Sequence, residues 1–581
     1  MNNKKLSNKL EGLRSRNHVN HEYINKDLYR ILYSRDIYYI AYNAIRTNDG
    51  AETAGSDGTS LHGFCEEWID DIIASLRDES YQPNPSRTTY IPKKNGKLRK
   101  LSFPNGKDKL VQECIRTILE CIYESSFSDL SHGFRPGRSI QSAIAQIESF
   151  NGVTWFIEGD ISACFDEVDH RILEAILRER INDERFIRLI NKLLKAGYLD
   201  TDFNFQHTDL GTGQGSICSP ILANIYLDKL DRYMEQVIER DTLGKYRKQN
   251  PEYSRARYML KKAKAKGDKS AVKSSVKKLK TIQSVDVMDS NFRRVRYVRY
   301  ADDFLIGTIS DKSYAQKLKT EISNFLSDVL HLRLSDEKTK ITNAKHEKVP
   351  FLGFYISKPS TLYINIEMNV ENMIRKLHQN GICNENGWPI GITKLLLLPV
   401  QEIIKYGNQV LRGLLNGQQG CHNFHKGWRI QYIIHYAIAK TLARKFDISM
   451  KKVFKKYGNS LTFSYLNTKG IAKTVSFALF KSFKRNRYFF AEWFAKIKEP
   501  IVFKYDERNL LRRTCYICDS SHQRKMFHRR RKKLIKRPYP HIISEILRIN
   551  RRQLCLCSSC FEKANNNALE LNQITKLRKS I

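Results

Sequence analysis

Arg299-Tyr300-Ala301-Asp302-Asp303-Phe304-Leu305-Ile306-Gly307 is the stretch on which the fold turns. Two adjacent carboxylates stand between β-prone runs, Val295 to Tyr300 with interleaved arginines and Phe304 to Gly307. The pattern predicts a strand, a tight turn carrying the acids and a returning strand. A hairpin tip with two acids suits a divalent cation, because Mg²⁺ takes hard oxygen ligands and keeps part of its shell for phosphates. A solvated Asp-rich turn has the same local signature. A second stretch, Trp155 to Asp166, separates the two readings. There an apolar strand ends on Asp160 and runs into a helix-like segment, with an aromatic, Phe165, five residues after the acid. Two strand-borne acidic sites far apart in sequence can meet in one sheet and hold two metals about 4 Å apart, as in-line phosphoryl transfer requires.

At 581 residues the chain holds several domains, and 41% hydrophobic residues supply their cores. A formal charge of +39 calls for a polyanionic partner, and nucleic acid is the economical one. A membrane surface is disfavoured: there is no lipidation signal, no amphipathic anchor and no run of 18 uncharged apolar residues. The start, Met1 to Leu6, lacks the apolar core of a signal peptide, and Glu11, Glu22 and Asp27 argue against a transit peptide. Cys65, Cys114, Cys121, Cys164, Cys218, Cys383 and Cys421 are scattered, while Cys515, Cys518, Cys555, Cys557 and Cys560 crowd into the tail. That fits a reducing compartment and a terminal zinc site of two Cys-x-x-Cys pairs, Cys515, Cys518, Cys557 and Cys560, with Cys555 an alternative to Cys557. A polybasic run, Arg529 to Lys533, lies between the pairs and suits backbone phosphates.

Along the chain, a helix is expected over Lys26–Asn48 and an amphipathic one over 63–78, with Phe64, Trp68, Ile69, Ile72, Ile73 and Leu76 inward. Residues 81–99 read as a basic hairpin with an Asn95-Gly96 tip. Lys109–Tyr123 reads as a helix, and Ser131 to Ser139 as a Gly/Pro loop with Arg135 and Arg138. The Gly-rich loop around Gln214 leads into a buried helix. A lysine-rich insertion over 233–290 is a solvated helical hairpin or an RNA contact. Past residue 360 the chain turns mostly helical. Residues 401–416 and 431–446 show apolar spacing with basic residues opposite, as in bundle helices or RNA-facing ones.

The pair Asp160 and Phe165, Tyr300 to Asp303, the string His132-Gly133-Phe134-Arg135-Pro136-Gly137-Arg138-Ser139, and Arg412 to Asn416 with Ala439 to Phe446 together resemble group II intron-encoded maturases and reverse transcriptases. The resemblance implies an α+β multidomain right-hand polymerase. Its fingers and palm, with an antiparallel palm sheet, would span 61–358 after an N-terminal helical extension, 1–60. An α-helical thumb or maturase domain, 359–480, a basic DNA-binding linker, 481–510, and an HNH-like zinc domain, 511–581, would follow. Asp160, Asp302 and Asp303 would be catalytic and hold two Mg²⁺ with the carbonyl of Ile161. Lys93 and Arg99 would grip the triphosphate of the incoming nucleotide and Gln214 would lie beneath it. Phe165 would exclude a 2′-hydroxyl, although an ordinary core phenylalanine fits the residue type equally. Lys338 would belong to the substrate site, and Phe351 to Gly353 to a hairpin holding the primer end. Arg135, Arg138, Arg412, Lys440, Arg444 and Lys445 would meet RNA.

The tail departs from the family's HNH nuclease. Lys525 stands at the expected Glu, Phe527 at the first His and Phe561 at a later one; only His528, the usual general base, survives. Binding without cutting is therefore expected there. The expected partners are host intron RNA, target DNA and deoxynucleoside triphosphates, with no membrane and with a homodimer as the assembly to test. The alternative function is a non-catalytic RNA-binding splicing cofactor on an inherited polymerase fold. The abundance of Lys, Asn and Ile points to an AT-rich genome, hence a mitochondrion or plastid, with a bacterial cytoplasm as the alternative.

Overall fold

The computed structural model describes residues 3–48, 50–92, 96, 98–286, 289, 291–359, 363–466, 470–497, 505–528 and 553–579. Arg294–Tyr300 and Asp303–Ile309 pair as an antiparallel hairpin with Tyr300 opposite Asp303. Trp155–Asp160 runs antiparallel along the second strand, Asp160 opposite Asp303, and Lys340–Asn343 completes the four-stranded sheet. Successive strand residues point to opposite faces. Val295, Tyr297, Ile157, Phe304 and Ile306 enter one core, whereas Val298, Phe156 and Leu305 enter another. Burial on both faces explains why Phe304, Leu305 and Ile306 read as a continuous apolar run rather than an alternating one. Gly159 lies beneath the Phe304 ring, which a Cβ there would strike. The missing side chain lets the two acid-bearing strands sit side by side.

The first core joins this sheet to helices Arg35–Ile45, Glu66–Arg77, Gly106–Tyr123 and the long Ser219–Asp241. Two expectations change here. The helix expected over Lys26–Asn48 is a 3₁₀ turn, Tyr29–Tyr33, and a helix, Arg35–Ile45, separated by an extended Ser34 (ψ 127°). A further helix, Asn3–Val19, precedes them and buries Leu6, Leu10 and Leu13, the i, i+4, i+7 spacing of one helical face. The fingers hairpin pairs Ser86–Pro92 with Leu98–Phe103, and Gly96 (φ +79°) turns the chain between them. The lysine-rich insertion begins later than 233, because the long helix continues to Asp241. Its helices Pro251–Ala265 and Lys269–Thr281 pack on each other, and the second buries no side chain among the described residues.

The second core gathers a three-stranded sheet, Val349–Phe351, Phe354–Ser357 and Asn365–Met368, with helices Val370–Gln379, Val400–Leu415, Gly427–Phe446 and Met450–Tyr457. This half is less purely helical than expected, since Phe463–Leu466 and Ala472–Val475 form another hairpin. The described residues of the expected linker, 481–497 and 505–510, pack on the rest of the protein. Helix Phe489–Ile497 packs on Ile140–Glu148, and Phe490 is buried edge-on to Phe354. Tyr505 Oη lies 3.2 Å from Cys121 Sγ, and Leu510 and Leu511 join the first core. The tail hairpin, Arg524–His528 with Gln553–Cys557, docks on the N-terminal region: Met526 N donates to Phe64 O at 2.9 Å and Gly63 N to Met526 O at 3.0 Å. Arg529 to Lys533 lie outside the described residues. Among those residues no helix is long and apolar enough to cross a membrane.

Candidate active site and cysteine cluster

The turn bearing Asp302 and Asp303 is fixed from below by a buried charge. Arg299, the strand residue before Tyr300, and Asp231 on the long helix are both 0% exposed. Arg299 donates from Nε to Asp231 Oδ1 at 2.8 Å, and from Nη1 to Ala301 O at 2.9 Å and Asn224 Oδ1 at 3.2 Å. Tyr297 Oη also donates to Asp231 Oδ1, at 2.9 Å. Ala301 adopts φ +59°, a left-handed conformation that a non-glycine residue holds only when its surroundings impose it. The surroundings include Gly133, whose missing Cβ leaves room for the Ala301 backbone. Asn224 Nδ2 donates to Gly133 O at 2.8 Å, and His132 N donates to Arg299 O at 2.9 Å. The His132 to Ser139 string is thus a cradle for the acidic turn.

Across the sheet, Ile161 N donates to Asp302 O at 3.2 Å, and the register sets Asp160 opposite Asp303. Burial, then the adjoining Asp302 charge, pushes Asp303 up to about 7. Burial likewise raises Asp302, with the Asp160 charge adding to it. Lys338 donates from Nζ to both Asp160 carboxylate oxygens at 2.8 Å. Partial burial pulls the ammonium down, but its bond to Asp160 and the three carboxylates outweigh that and raise it. Three convergent acids with one lysine between them are hard oxygen donors short of positive charge, a set that suits divalent cations. A cavity of about 410 Å³ opens beside Asp160, Asp303 and Lys338 and extends to Phe351 and Leu352.

Phe165 lies on a short helix, Cys164–Glu167, entered through Ala163 at φ +46°. The Gly-rich loop is tied to this turn and to the fingers: Thr212 N donates to Phe165 O at 2.7 Å, and Ser102 N to Gln214 O at 2.6 Å. Gly215 (φ +111°) sits against the Ser102 carbonyl, where a side chain would not fit. Gln214 Nε2 donates to Asp166 Oδ2 at 3.3 Å. Arg99 is exposed on the fingers strand, close enough to Asp302 for its charge to favour the carboxylate. Lys93 lies outside the described residues.

Several residues expected to meet RNA are occupied within the protein. Arg135 is buried; it donates from Nε to Glu124 Oε1 at 2.9 Å and from Nη1 to the carbonyls of Ser128 and Ser131 at 2.6 and 2.8 Å. Burial pushes Glu124 up to about 7 against the pull of Arg135. Arg138 donates to Asp129 Oδ1 at 2.6 Å, its side chain 5% exposed. Both arginines brace the loop through these internal partners. Lys440 Nζ donates to Pro389 O at 2.9 Å, Lys445 Nζ to Leu396 O at 2.7 Å and Arg444 Nη1 to Thr393 Oγ1 at 3.2 Å. These three hold the segment 389–396 against their helix, while Arg412 is exposed. The residues that sequence reasoning missed are Asp231, Asn224 and Glu124. For Asp231 and Asn224 the available signal was Arg299 within a β-prone run, since a buried guanidinium requires a partner.

In the tail, the sulfurs of Cys515, Cys518, Cys557 and Cys560 lie within 4.8 Å of one another. Cys518 and Cys557 Sγ are 3.6 Å apart, near the roughly 3.8 Å edge of a tetrahedron with 2.3 Å zinc–sulfur bonds. The donor set fits zinc. Cys555 instead turns to the first core and donates to Arg513 O at 3.1 Å, so Cys557 is the cluster's third member. His528 is 1% exposed; its Nε2 is 3.3 Å from Tyr42 Oη and its Nδ1 3.5 Å from Glu52 Oε1. Packed under the N-terminal region, it is closed to a phosphodiester.

Residues 91–259 and 269–356 match the reverse transcriptase (RNA-dependent DNA polymerase) family, and residues 361–497 match the type II intron maturases. An uncharacterised 91 kDa protein in the cob intron of Schizosaccharomyces pombe is 35% identical over 99% of this chain and 74% of its own length. A putative COX1/OXI3 intron 1 protein of Saccharomyces cerevisiae is 32% identical over 94% of the chain and 70% of its own. The group II intron-encoded protein LtrA of Lactococcus lactis subsp. cremoris is 34% identical over 88% of the chain and 90% of its own. The acids gathered on a palm sheet and the helical half that follows them therefore belong to a group II intron-encoded protein, an RNA-directed DNA polymerase of the right-hand fold joined to a maturase domain.

Proposed function

We propose that this protein binds the intron that encodes it, assists the splicing of that RNA and copies it into cDNA, with target DNA as the eventual acceptor. The observation that carries the polymerase half is the register that sets Asp160 opposite Asp303 at one end of the palm sheet. Asp160, Asp302, Asp303 and the carbonyl of Ile161 would hold two Mg²⁺. Once bound, such cations lower the pKa of a primer 3′-hydroxyl and neutralise charge developing on pyrophosphate. Lys338 orients Asp160 through its two hydrogen bonds. Arg99 and Lys93 meet the triphosphate through charge-assisted contacts, Gln214 supports the nucleotide, and Phe165 excludes a 2′-hydroxyl. The cavity beside Leu352 takes the primer end. Arg412 and the segment held by Lys440, Arg444 and Lys445 face intron RNA. An organellar origin fits the relatives named for the cob and COX1/OXI3 introns, a bacterial cytoplasm fits the relative from Lactococcus lactis, and a homodimer is a further assembly to test. Primer extension on poly(rA)/oligo(dT), run beside splicing of the host intron, tests the reading. Both activities are expected from one preparation, and splicing without extension would leave only the RNA-binding cofactor.

The C-terminal module, in this reading, binds zinc through Cys515, Cys518, Cys557 and Cys560, and holds nucleic acid without cutting it. His528 supports that by being buried, and Lys525, Phe527 and Phe561 by replacing nuclease residues. One zinc per chain is expected by elemental analysis. Cys557→Ser should lose that zinc and lower the apparent Tm, because metal that binds only the folded state stabilises it. An unchanged zinc content would contradict the cluster.

A further inference from the structure

Phe134 stands out beside the active site. It is a large apolar side chain, 55% exposed, in a loop whose neighbouring residues are buried. Its backbone adopts φ +59°, a conformation that costs a non-glycine residue of order 1–3 kcal/mol and persists where the surroundings over-determine it. The surroundings do so on both sides. Gly133 is pressed against the Ala301 backbone and its carbonyl is held by Asn224. Arg135, next in sequence, is locked into Glu124 and two carbonyls. The chain between these anchors holds Phe134 up beside the acidic turn. There its ring meets Phe165 edge-to-face, centroids 6.1 Å apart and planes at 79°. Phe165 has support from the other side as well, since the Gly-rich loop bonds its carbonyl.

From this geometry we infer that Phe134 is a positioning residue for sugar selection: its ring fixes the orientation of Phe165, so that Phe165 presents a rigid wall to the 2′ position of the incoming nucleotide. The inference rests on the reading of Phe165 as the residue that excludes the 2′-hydroxyl. A lone aromatic on a four-residue helix could swing aside to admit the extra oxygen. An edge-to-face partner anchored through the same loop that cradles Asp302 resists that movement. It also ties the wall to the metal-binding turn, so the sugar is judged at a fixed distance from the reacting phosphate.

The test is the ratio of kcat/KM for a deoxynucleotide to that for its ribonucleotide, in wild type, Phe165→Ala, Phe134→Ala, Phe134→Tyr and the double alanine variant. Phe165→Ala should lower the ratio most. Phe134→Ala should lower it about 3- to 10-fold, the worth of one aromatic pair, chiefly by raising kcat/KM for the ribonucleotide. Phe134→Tyr, which keeps the ring, should restore most of the ratio and shows that the change is not one of folding. In the Phe165→Ala background the second substitution should change the ratio little, because the wall it supports is gone. A normal ratio in Phe134→Ala beside a lowered one in Phe165→Ala overturns the inference and leaves the reading of Phe165 standing. Additive effects in the double variant also overturn it. An unchanged ratio in Phe165→Ala removes that reading, and the inference with it.

Discussion

Asp302→Ala is expected to lower primer extension by on the order of 10³-fold or more while leaving intron RNA binding nearly intact. The figure corresponds to about 4 kcal/mol of transition-state stabilisation. Asp302 supplies hard oxygen at the point where negative charge develops, and alanine leaves two acids in place of three. The substitution should not harm the fold. Burial already holds Asp302 above the ordinary carboxylate range, so the charge is tolerated for function rather than for stability. In the proposed reading, RNA binding rests on surfaces along the other half of the chain, including the exposed Arg412. Single-turnover extension and filter binding of intron RNA, measured on the same preparation, read the two effects apart. Extension that survives Asp302→Ala would remove the site.

Arg299→Met should destabilise the protein by about 3–5 kcal/mol, the usual consequence of stranding one member of a buried ion pair. Asp231 would remain fully enclosed, with Tyr297 still donating to it. Urea denaturation reads the loss as a fall in midpoint, and extension should collapse with it. The double variant Arg299→Met, Asp231→Leu is more informative. Replacing both charges by apolar groups of similar bulk commonly restores stability, but the Arg299 Nη1 bond to Ala301 O would still be missing. The account therefore expects a stable double variant whose extension stays impaired, because the Ala301 turn is no longer held in its left-handed conformation. Recovery of both properties would mean that Arg299 serves the fold alone.

Much of the palm was legible because its strands end on their acids. The β-prone runs around Asp302 and Asp303 and the run into Asp160 state their own boundaries, and Gly159 marks a close approach. The cysteine pairs likewise announce their geometry through spacing, although the choice of Cys557 over Cys555 depends on which sulfur turns toward the first core. Less legible were the partners of charged residues. Arg135 reads as a template contact until Glu124, at the end of a helix eleven residues earlier, is seen beneath it. Lys440, Arg444 and Lys445 occupy a helix face that looks solvated, but their partners are mostly backbone carbonyls, which leave no trace in a sequence. The segment 481–510 reads as a linker through its basic residues. Its apolar content, Phe489, Phe490, Trp493 and Phe494, is what packs it against Ile140–Glu148. The long helix after Gln214 ran past the expected start of the insertion because nothing between Arg232 and Asp241 breaks a helix.

The proposed chemistry requires acids from two separate strands to act as one metal-binding unit. A double-mutant cycle on extension rate with Asp160→Ala, Asp303→Ala and the pair measures it. Each single substitution is expected to cost nearly as much as the double, since residues that act as a unit are strongly non-additive. Losses that simply multiply, or an Asp160→Ala variant that extends primers normally, would contradict it.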